Sequence, residues 1–329
     1  MNFEPSVYEH AAFLIDRSAW EVSRDADLMF MAHTAAYEMY RHNPVVMGID
    51  IYNLEAEAYG AHVEQLDGEV LPAISERLLQ TTADIPHLES FNPLTAGRIP
   101  QTLDAAKRLH SCHPKANIRF PVSGPFSIAS NLVGLEPLLM ETMTKPDTVR
   151  QAMEWLVNGQ IELCQAIAAQ NLHITLFESA ATPPLLSPQS FKHMLFPSLV
   201  KLVQRASYLS NERIACIIGG DTYPIMDTIL ETEPGYIICP VETEQARFME
   251  RMKQFPDVTV RINMQPSVFR GDIRAAVEEA DRVFDIANER VNVCIGSSAL
   301  PFDANPEIVL RVKEYIQNRV NEQSRSVDQ

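Results

Sequence analysis

Eight short runs of apolar, largely β-branched residues recur along the chain, and segments with helical periodicity separate them. The runs cover residues 11–16, 45–52, 116–123, 173–179, 213–219, 235–242, 258–264 and 291–297. Continuous apolar runs of this length are typical of parallel strands buried on both faces. Residues 145–170 carry apolar side chains at the spacing of a helix packed on a sheet. The alternation predicts an α/β fold, a single (β/α)8 TIM barrel. A doubly wound sheet is the alternative, because one sequence does not reveal strand order.

No low-complexity linker divides the 329 residues, so the sequence predicts one domain. We expect an N-terminal extension at residues 1–10, the barrel at residues 11–320 and a polar, frayed tail at residues 321–329. The connection after the second strand is long. Within it, residues 61–72 have the pattern of a hairpin insertion rather than a barrel helix.

Charge and hydropathy argue against several classes of protein. A formal net charge of −16 disfavours nucleic-acid binding, which depends on clustered Lys and Arg. The first ten residues lack the apolar segment of a secretory signal, and no apolar run approaches the roughly 20 residues that span a bilayer. The five cysteines are dispersed without CxxC spacing, as in reduced proteins of the cytoplasm. We therefore expect a cytoplasmic protein.

Polar residues follow the predicted strands where a barrel of this kind builds its active site, at the carboxyl ends. In chain order they are Asp16, Arg17, Asp50, Asn53, Glu55, Glu57, Ser123, Ser127, Asn131, Glu178, Ser179, Asp221, Glu242, Asn263 and Ser298. A carboxylate at an apolar barrel mouth can have a raised pKa and so donate a proton. The structural alternative for such an acid is to complement the dipole of the following helix.

Three motifs resemble the uroporphyrinogen decarboxylase superfamily. They are PVSGPFSIASNLVG at residues 121–134, FESAATPPLLSPQSF at residues 177–191 and RINMQPSVFRGD at residues 261–272. The superfamily includes tetrapyrrole decarboxylases and methyltransferases that pass methyl groups to or from a corrinoid cofactor. The resemblance implies a barrel, and it matches Asp50 with the essential aspartate of the decarboxylases. In the first motif Gly124 and Pro125 start a helix whose free N–H groups can hold a substrate carboxylate or phosphate.

The decarboxylase pattern is incomplete in this chain. The decarboxylases bind the carboxylates of a tetrapyrrole with paired arginines near the first strand, and only Arg17 stands there. Asn131 takes the place of a substrate-contacting tyrosine, and Ser298 takes the place of a late histidine. These departures favour the methyltransferase branch.

The zinc site of the superfamily's corrinoid:thiol methyltransferases is also incomplete. Those enzymes resemble one another in an H-x-C motif after the fifth strand and a distant cysteine. Ile217, Gly219 and Ser298 stand at the three positions. Because strand side chains alternate faces, Cys216 should face the helices if Ile217 faces the lumen. Cys294 should lie about 13 Å deeper than Ser298. We expect no zinc of this kind.

The resemblance implies a methyltransferase that acts with a corrinoid (cobalamin) cofactor or carrier protein on a small methyl donor or acceptor. Asp50, Glu57 and Glu178 would orient or protonate the departing group. The predicted substrate-binding residues are Arg17, Asn53, Ser127, Asn131, Asp221, Glu242, Asn263 and Ser298.

Several alternatives stay open. One is decarboxylation of a tetrapyrrole in porphyrin metabolism, and another is a catalytically decayed barrel that serves as a binding subunit. No tightly bound cofactor is predicted, although a metal site built from Glu178, Asp221 or Glu242 is a further alternative. The family often forms homodimers, so a homodimer is an additional expectation.

Overall fold

The computed structural model describes residues 1–67, 70–287 and 290–327. Within them, eight parallel strands form one nearly closed barrel, which confirms the predicted fold. The strands are β1 (Phe3–Ser6), β2 (Val45–Val46), β3 (Ile118–Ser123), β4 (His173–Glu178), β5 (Ala215–Ile218), β6 (Tyr236–Cys239), β7 (Thr259–Met264) and β8 (Val293–Ala299). The strands pair in the order β1-β8-β7-β6-β5-β4-β3-β2. Strands β1 and β2 are therefore the two edge strands, and the seam of the barrel lies between them.

Helices follow the strands and cover the outside of the barrel. They are α1 (His10–Phe13), α2 (Ala19–Arg24), α3 (Ala26–Tyr40), α4 (Leu54–Ala58), α5 (Ile99–Cys112), α6 (Pro125–Val133), α7 (Leu135–Thr144), α8 (Pro146–Ala168), α9 (Pro188–Ser190), α10 (Phe196–Ser210), α11 (Met226–Leu230), α12 (Gln245–Met252), α13 (Ile273–Ala287) and α14 (Pro306–Val327). Single 3₁₀ turns cover Thr82–His87, Tyr223–Ile225 and Pro266–Arg270, and a π turn covers Phe191–Leu195.

The helix predicted at residues 145–170 is α8. The last helix, α14, continues to Val327 and so enters the predicted tail, whose residues 328–329 lie outside the described part of the chain. Across the described residues, no helix combines the length and the apolar character that crossing a membrane requires.

The prediction of the first strand is wrong. Residues 11–16 lie in helix α1 and the turn after it, whereas β1 lies inside the segment 1–10. Strand β1 pairs with β8, with Phe3 opposite Ile295. A short apolar run can bury one face of a helix as readily as a strand, and Pro5 is atypical inside a strand. These two features misled the assignment.

The second strand is shorter than predicted. It ends at Val46 because Gly48 has a φ of 106°, a backbone conformation that turns the chain out of the sheet. In the long connection that follows, Glu64 and Ala73 form an antiparallel bridge, which agrees with the predicted hairpin insertion. Residues 68–69 of that hairpin lie outside the described residues.

Strand side chains alternate between two buried clusters. The outward cluster packs against the helices and includes Cys216, which lies beside Met226 and Phe248. The inward cluster fills the barrel lumen and consists of Ile51, Phe177, Ala215, Ile217, Tyr236, Ile238 and Cys294. The predicted opposition of Ile217 and Cys216 is therefore confirmed.

Candidate active site

A cavity of about 310 Å³ opens at the carboxyl ends of the strands. This is the end where barrels of this class carry their sites. Its lining residues are Ser6, Tyr8, Glu9, Ile49, Asp50, Ile51, Tyr52, Asn53, Leu71, Pro72, Phe177, Ile217, Gly219, Ile238, Arg261, Asn263, Ser298 and Ala299. Four of the predicted site residues are among them, namely Asp50, Asn53, Asn263 and Ser298. The other predicted residues lie elsewhere.

Aromatic rings form one wall of the cavity. Phe177 is contacted edge to face by Tyr8 on one side and Tyr52 on the other, with ring centroids 6.1 Å and 6.2 Å apart. Such edge-to-face packing orders the rings and presents apolar surface to a ligand. Tyr8 lies at the turn after β1 and has a φ of 24°, a backbone conformation that is unusual for a bulky residue.

Arg261 supplies a cation within this apolar surface. It lies on β7 two residues before Asn263, so both side chains point into the lumen. Its Nε donates to Asn263 Oδ1 at 3.0 Å, and its Nη1 donates to Ser6 Oγ at 2.9 Å. Asn263 was among the site residues predicted from the sequence, whereas Arg261 was not. The period-2 alternation of residues 259–264 could have identified it.

Glu9 is the second residue that the sequence analysis missed. It follows β1, lines the cavity and is 9% exposed. Burial raises the pKa of its carboxyl from 4.5 to about 7, against smaller lowering effects of its own backbone N–H and of Arg270. Glu9 is therefore a lining residue that can change its charge near neutral pH. The misplaced first strand concealed it.

Asp50 lies at the cavity wall as one member of an ion-pair network. Arg98 donates from Nη1 and Nη2 to the two oxygens of Asp50, each at 2.7 Å. The same guanidinium donates from Nε to Glu57 at 2.5 Å, and Arg24 donates to Glu57 at 2.7 Å. Asn53 Nδ2 also donates to Asp50, at 3.0 Å. Glu57 does not line the cavity. Of the three predicted catalytic acids, Asp50 and Glu57 are therefore partners of arginine.

Glu178 lies behind the cavity wall, at the amino end of helix α6. Its buried carboxylate accepts hydrogen bonds from the backbone N–H groups of Phe126 at 3.1 Å, Ser127 at 2.8 Å and Ser179 at 3.0 Å. The Ser127 hydroxyl donates to it as well. The free N–H groups that the sequence predicted would hold a substrate anion are thus already bound to Glu178. Burial nevertheless raises the pKa of this carboxyl to about 7.

The remaining predicted residues do not line the cavity. The Asn131 amide donates to the Tyr52 carbonyl at 2.7 Å, and Asp221 accepts from the Thr243 hydroxyl at 2.7 Å. Arg17 and Glu242 are exposed. The structure therefore does not bring these four residues to the cavity.

A zinc ion of the kind used by thiol methyltransferases does not fit the lining residues. Ile217, Gly219 and Ser298 all line the cavity, and none of them is a ligand of the thiolate–imidazole type. A Cβ built on Gly219 would meet no atom within 4 Å, so that position is open space. Across the described residues, no three His, Cys, Asp or Glu side chains converge to hold a metal. Cys294 is buried deeper and contacts Glu4 Oε2 at 3.2 Å.

Comparison with known proteins gives a family match over most of the chain and a curated relative over part of it. The family model described as uroporphyrinogen decarboxylase (URO-D) matches residues 6–318. Methylcobamide:CoM methyltransferase MtaA of Methanosarcina barkeri is 26% identical over 140 residues, which are 42% of this chain and 36% of that protein. The match thus spans about a third of that relative's length.

Two solved structures resemble the fold. A methyltransferase from Methanosarcina mazei superposes with a TM-score of 0.84 at 18% identity, over 96% of this chain and 92% of that one. A putative vitamin-B12 independent methionine synthase from Listeria monocytogenes superposes with a TM-score of 0.53 at 8% identity, over 88% and 86% of the two chains.

Proposed function

Since the chain belongs to the uroporphyrinogen decarboxylase (URO-D) family, we propose that it is a methyltransferase of that family which binds a small methyl donor or acceptor in the barrel mouth. The second reactant would be a corrinoid, either free or carried by a partner protein. The sequence match to methylcobamide:CoM methyltransferase MtaA supports the methyltransferase branch.

The observation that carries this proposal is the character of the cavity. At about 310 Å³ it lies at the lower end of the roughly 300–1,000 Å³ usual for ligand pockets. Among the described lining residues Arg261 is the one arginine, and lysine is not represented. A tetrapyrrole with many carboxylates would need more volume and more cations. A small, largely apolar molecule matches the site better.

The residues of the chain have separable tasks in the proposed reaction. The aromatic wall of Tyr8, Tyr52 and Phe177 excludes water and orients the substrate body. Glu9 can hold a proton near pH 7 at its carboxyl oxygen and deliver it to a departing group, or accept one from an entering nucleophile. A bound corrinoid would supply the cobalt centre that carries the methyl group. The ion pair between Asp50 and Arg98 keeps the wall rigid around the substrate.

A spectroscopic titration tests the proposed function. Methylcobalamin and reduced cob(I)alamin are mixed with the protein and a panel of small thiols, methyl ethers and methylamines, and the cobalamin absorbance is followed. We expect substrate-dependent gain or loss of the methyl–cobalt spectrum. An unchanged spectrum with every member of the panel, and with a methylated corrinoid protein, would contradict the proposal.

One observation favours a second candidate, a barrel that binds its ligand without catalysis. Ile217, Gly219 and Ser298 stand at the positions that bear zinc ligands in the thiol methyltransferases, and none of the three is a thiolate or imidazole ligand, which supports this alternative. Under this alternative a ligand would bind in the cavity while the cobalamin spectrum stays constant. The same titration, combined with a binding measurement, separates the two candidates.

A further inference from the structure

Arg261 is a buried cation that no carboxylate neutralises directly. Its side chain lies in the lumen and the residue is 7% exposed. Among the described residues, no carboxylate oxygen lies within the 4.0 Å of a salt bridge to its guanidinium. The partners of Nε and Nη1 are the neutral groups of Asn263 and Ser6. Nη2 makes no hydrogen bond to any residue in the described part of the chain.

Glu4 does not satisfy this charge. Its carboxylate contributes to the electrostatic environment of Arg261, but the Oε2 atom accepts from Tyr236 Oη at 3.0 Å and contacts Cys294 Sγ at 3.2 Å. Burying an unpaired charge is strongly unfavourable, so buried cations are normally paired. Arg261 instead lines the cavity, where an anion from outside the chain can reach it.

Resting on the proposed function, we infer that the substrate is a monoanion, a carboxylate or sulfonate with an apolar body, and that Arg261 binds its anionic group. Nη2 donates to one oxygen of the anion, and Asn263 holds the guanidinium in place through Nε. The body of the substrate lies against Tyr8, Tyr52 and Phe177. The end that exchanges the methyl group then points toward the mouth.

The charges of the cavity favour a single negative group. Arg261 is one cation, and the second guanidinium nearby, that of Arg98, is already committed to Asp50 and Glu57. The carboxyl of Glu9 also lines the cavity and, once ionised, would repel a second anionic group. A diphosphate or a polycarboxylate therefore does not match the site, and a compound with one charged end does.

Calorimetric titration with matched ligands tests this assignment. The acids are 3-phenylpropionate, hexanoate and 2-phenylethanesulfonate, and each is paired with its uncharged amide or sulfonamide. We expect the unmodified protein to bind at least one acid about tenfold or more tightly than its neutral partner, the usual scale of one charge-assisted hydrogen-bond pair. A preference for the sulfonate or for the carboxylates identifies the class of anion.

Two variants locate the effect. R261M should abolish the preference for the acid, whereas R150M, which removes a guanidinium from the outer helix α8, should retain it. Circular dichroism verifies that each variant is folded. If R261M does not fold, the comparison of acid with amide in the unmodified protein decides alone. Equal affinities for acid and amide, failure of all the acids to bind, or a preference that survives in R261M would overturn the inference.

The binding experiment is independent of methyl transfer because it contains no corrinoid. An acid preference that depends on Arg261, together with a constant cobalamin spectrum, would refute the proposed function alone. Methyl transfer to or from uncharged substrates, without any acid preference, would refute the assignment of Arg261 alone.

Discussion

The Glu178 carboxylate occupies the place at the amino end of helix α6 where a free anion would otherwise bind. The fit is close, since a side chain at Gly124 would collide with the carboxylate oxygen. Glycine at this turn therefore serves the approach of Glu178. At the scale of single residues, Glu178 thus joins the start of helix α6, after β3, to the loop after β4, through the N–H groups of Phe126 and Ser179. Its carboxylate does not line the cavity.

Replacing Glu178 by glutamine should destabilise the rim. An amide cannot accept from every N–H group that meets the carboxylate, so at least one buried donor loses its partner. At pH 8 we expect E178Q to lower the free energy of unfolding by about 1–3 kcal/mol in urea denaturation. E162Q, an exposed substitution on α8, serves as the control. A stability loss no larger than that of E162Q would contradict the capping role of Glu178.

Glu9 should make ligand binding depend on pH. Its carboxyl is neutral well below pH 7 and becomes an anion above it, since burial raises the pKa to about 7. The new negative charge faces the same cavity as Arg261 and should weaken the binding of a monoanion several-fold between pH 6 and pH 8. E9Q should bind with similar affinity at both values. The measurement is calorimetric titration with the tightest acid, and a pH dependence unchanged in E9Q would exclude Glu9 as its cause.

At the scale of elements, Arg98 joins helix α5 to a segment that lies 41 to 48 residues earlier in the chain. It stands at the amino end of α5, contacts Asp50 after β2, and meets Glu57 of α4, which Arg24 of α2 also binds. R98M would leave the buried carboxylate of Asp50 without its ion-pair partner and the half-buried carboxylate of Glu57 with only Arg24. We expect a loss of about 3–5 kcal/mol in the free energy of unfolding, measured by urea denaturation. R150M, which breaks exposed ion pairs, should cost about 1 kcal/mol or less. Equal losses in the two variants would show the network to be unimportant.

Glu55 connects helix α4 to the end of strand β3. It is fully buried and accepts from the Ser123 N–H at 2.7 Å and from the Ser123 hydroxyl at 2.8 Å. Burial raises the pKa of this carboxyl from 4.5 to about 7. Between these values the folded protein binds more protons than the unfolded chain. The contribution of Glu55 to the free energy of unfolding is therefore complete below pH 4.5 and is lost as the pH rises through 7.

Stability should accordingly fall from pH 5 to pH 8, with a slope of up to about 1.4 kcal/mol per pH unit for each such group. Glu9 and Glu178 contribute in the same direction. E55Q should have a shallower slope, and its hydrogen bonds to Ser123 can be retained because a hydroxyl both donates and accepts. The free energy of unfolding at several pH values measures this. A slope as steep as that of the unmodified protein would rule out Glu55 as a contributor.

At the scale of the whole molecule, the barrel is weakest at its seam. Strand β2 pairs with β3 over only two residues, whereas β7 and β8 pair over five. Backbone amides near Val45 and Val46 should therefore exchange with deuterium at least tenfold faster than those of β7. Hydrogen–deuterium exchange with mass spectrometry measures both regions in one sample. Equal protection would indicate that the seam is closed in solution.

The sequence was sufficient to predict the barrel and the face on which lumen residues lie. Period-2 alternation predicted that Ile217 and Cys216 face opposite sides of the sheet, and the structure confirms this opposition. The rule that barrel sites lie at the carboxyl ends of the strands located Asn263, which lines the cavity. The URO-D resemblance is confirmed over residues 6–318.

Contacts between segments that are distant along the chain could not be predicted from the sequence. Asp50 and Arg98 are 48 residues apart, and no local pattern indicates that one neutralises the other. Glu178 looked like a site acid because its strand ends there, yet only the fold shows that it faces a helix end. Glu9 was hidden by an apolar run that packs as a helix.

The lumen is closed below the cavity by Tyr236 and Cys294, which lie deeper on their strands and contact Glu4. A compound seated on Arg261 therefore lies underneath anything that covers the rim. Under the proposed function we therefore expect sequential kinetics, in which the small reactant binds before a corrinoid carrier covers the rim and the product leaves after the carrier dissociates. A large excess of that carrier should then inhibit turnover, because a bound carrier would prevent the small reactant from entering the cavity and the product from leaving it.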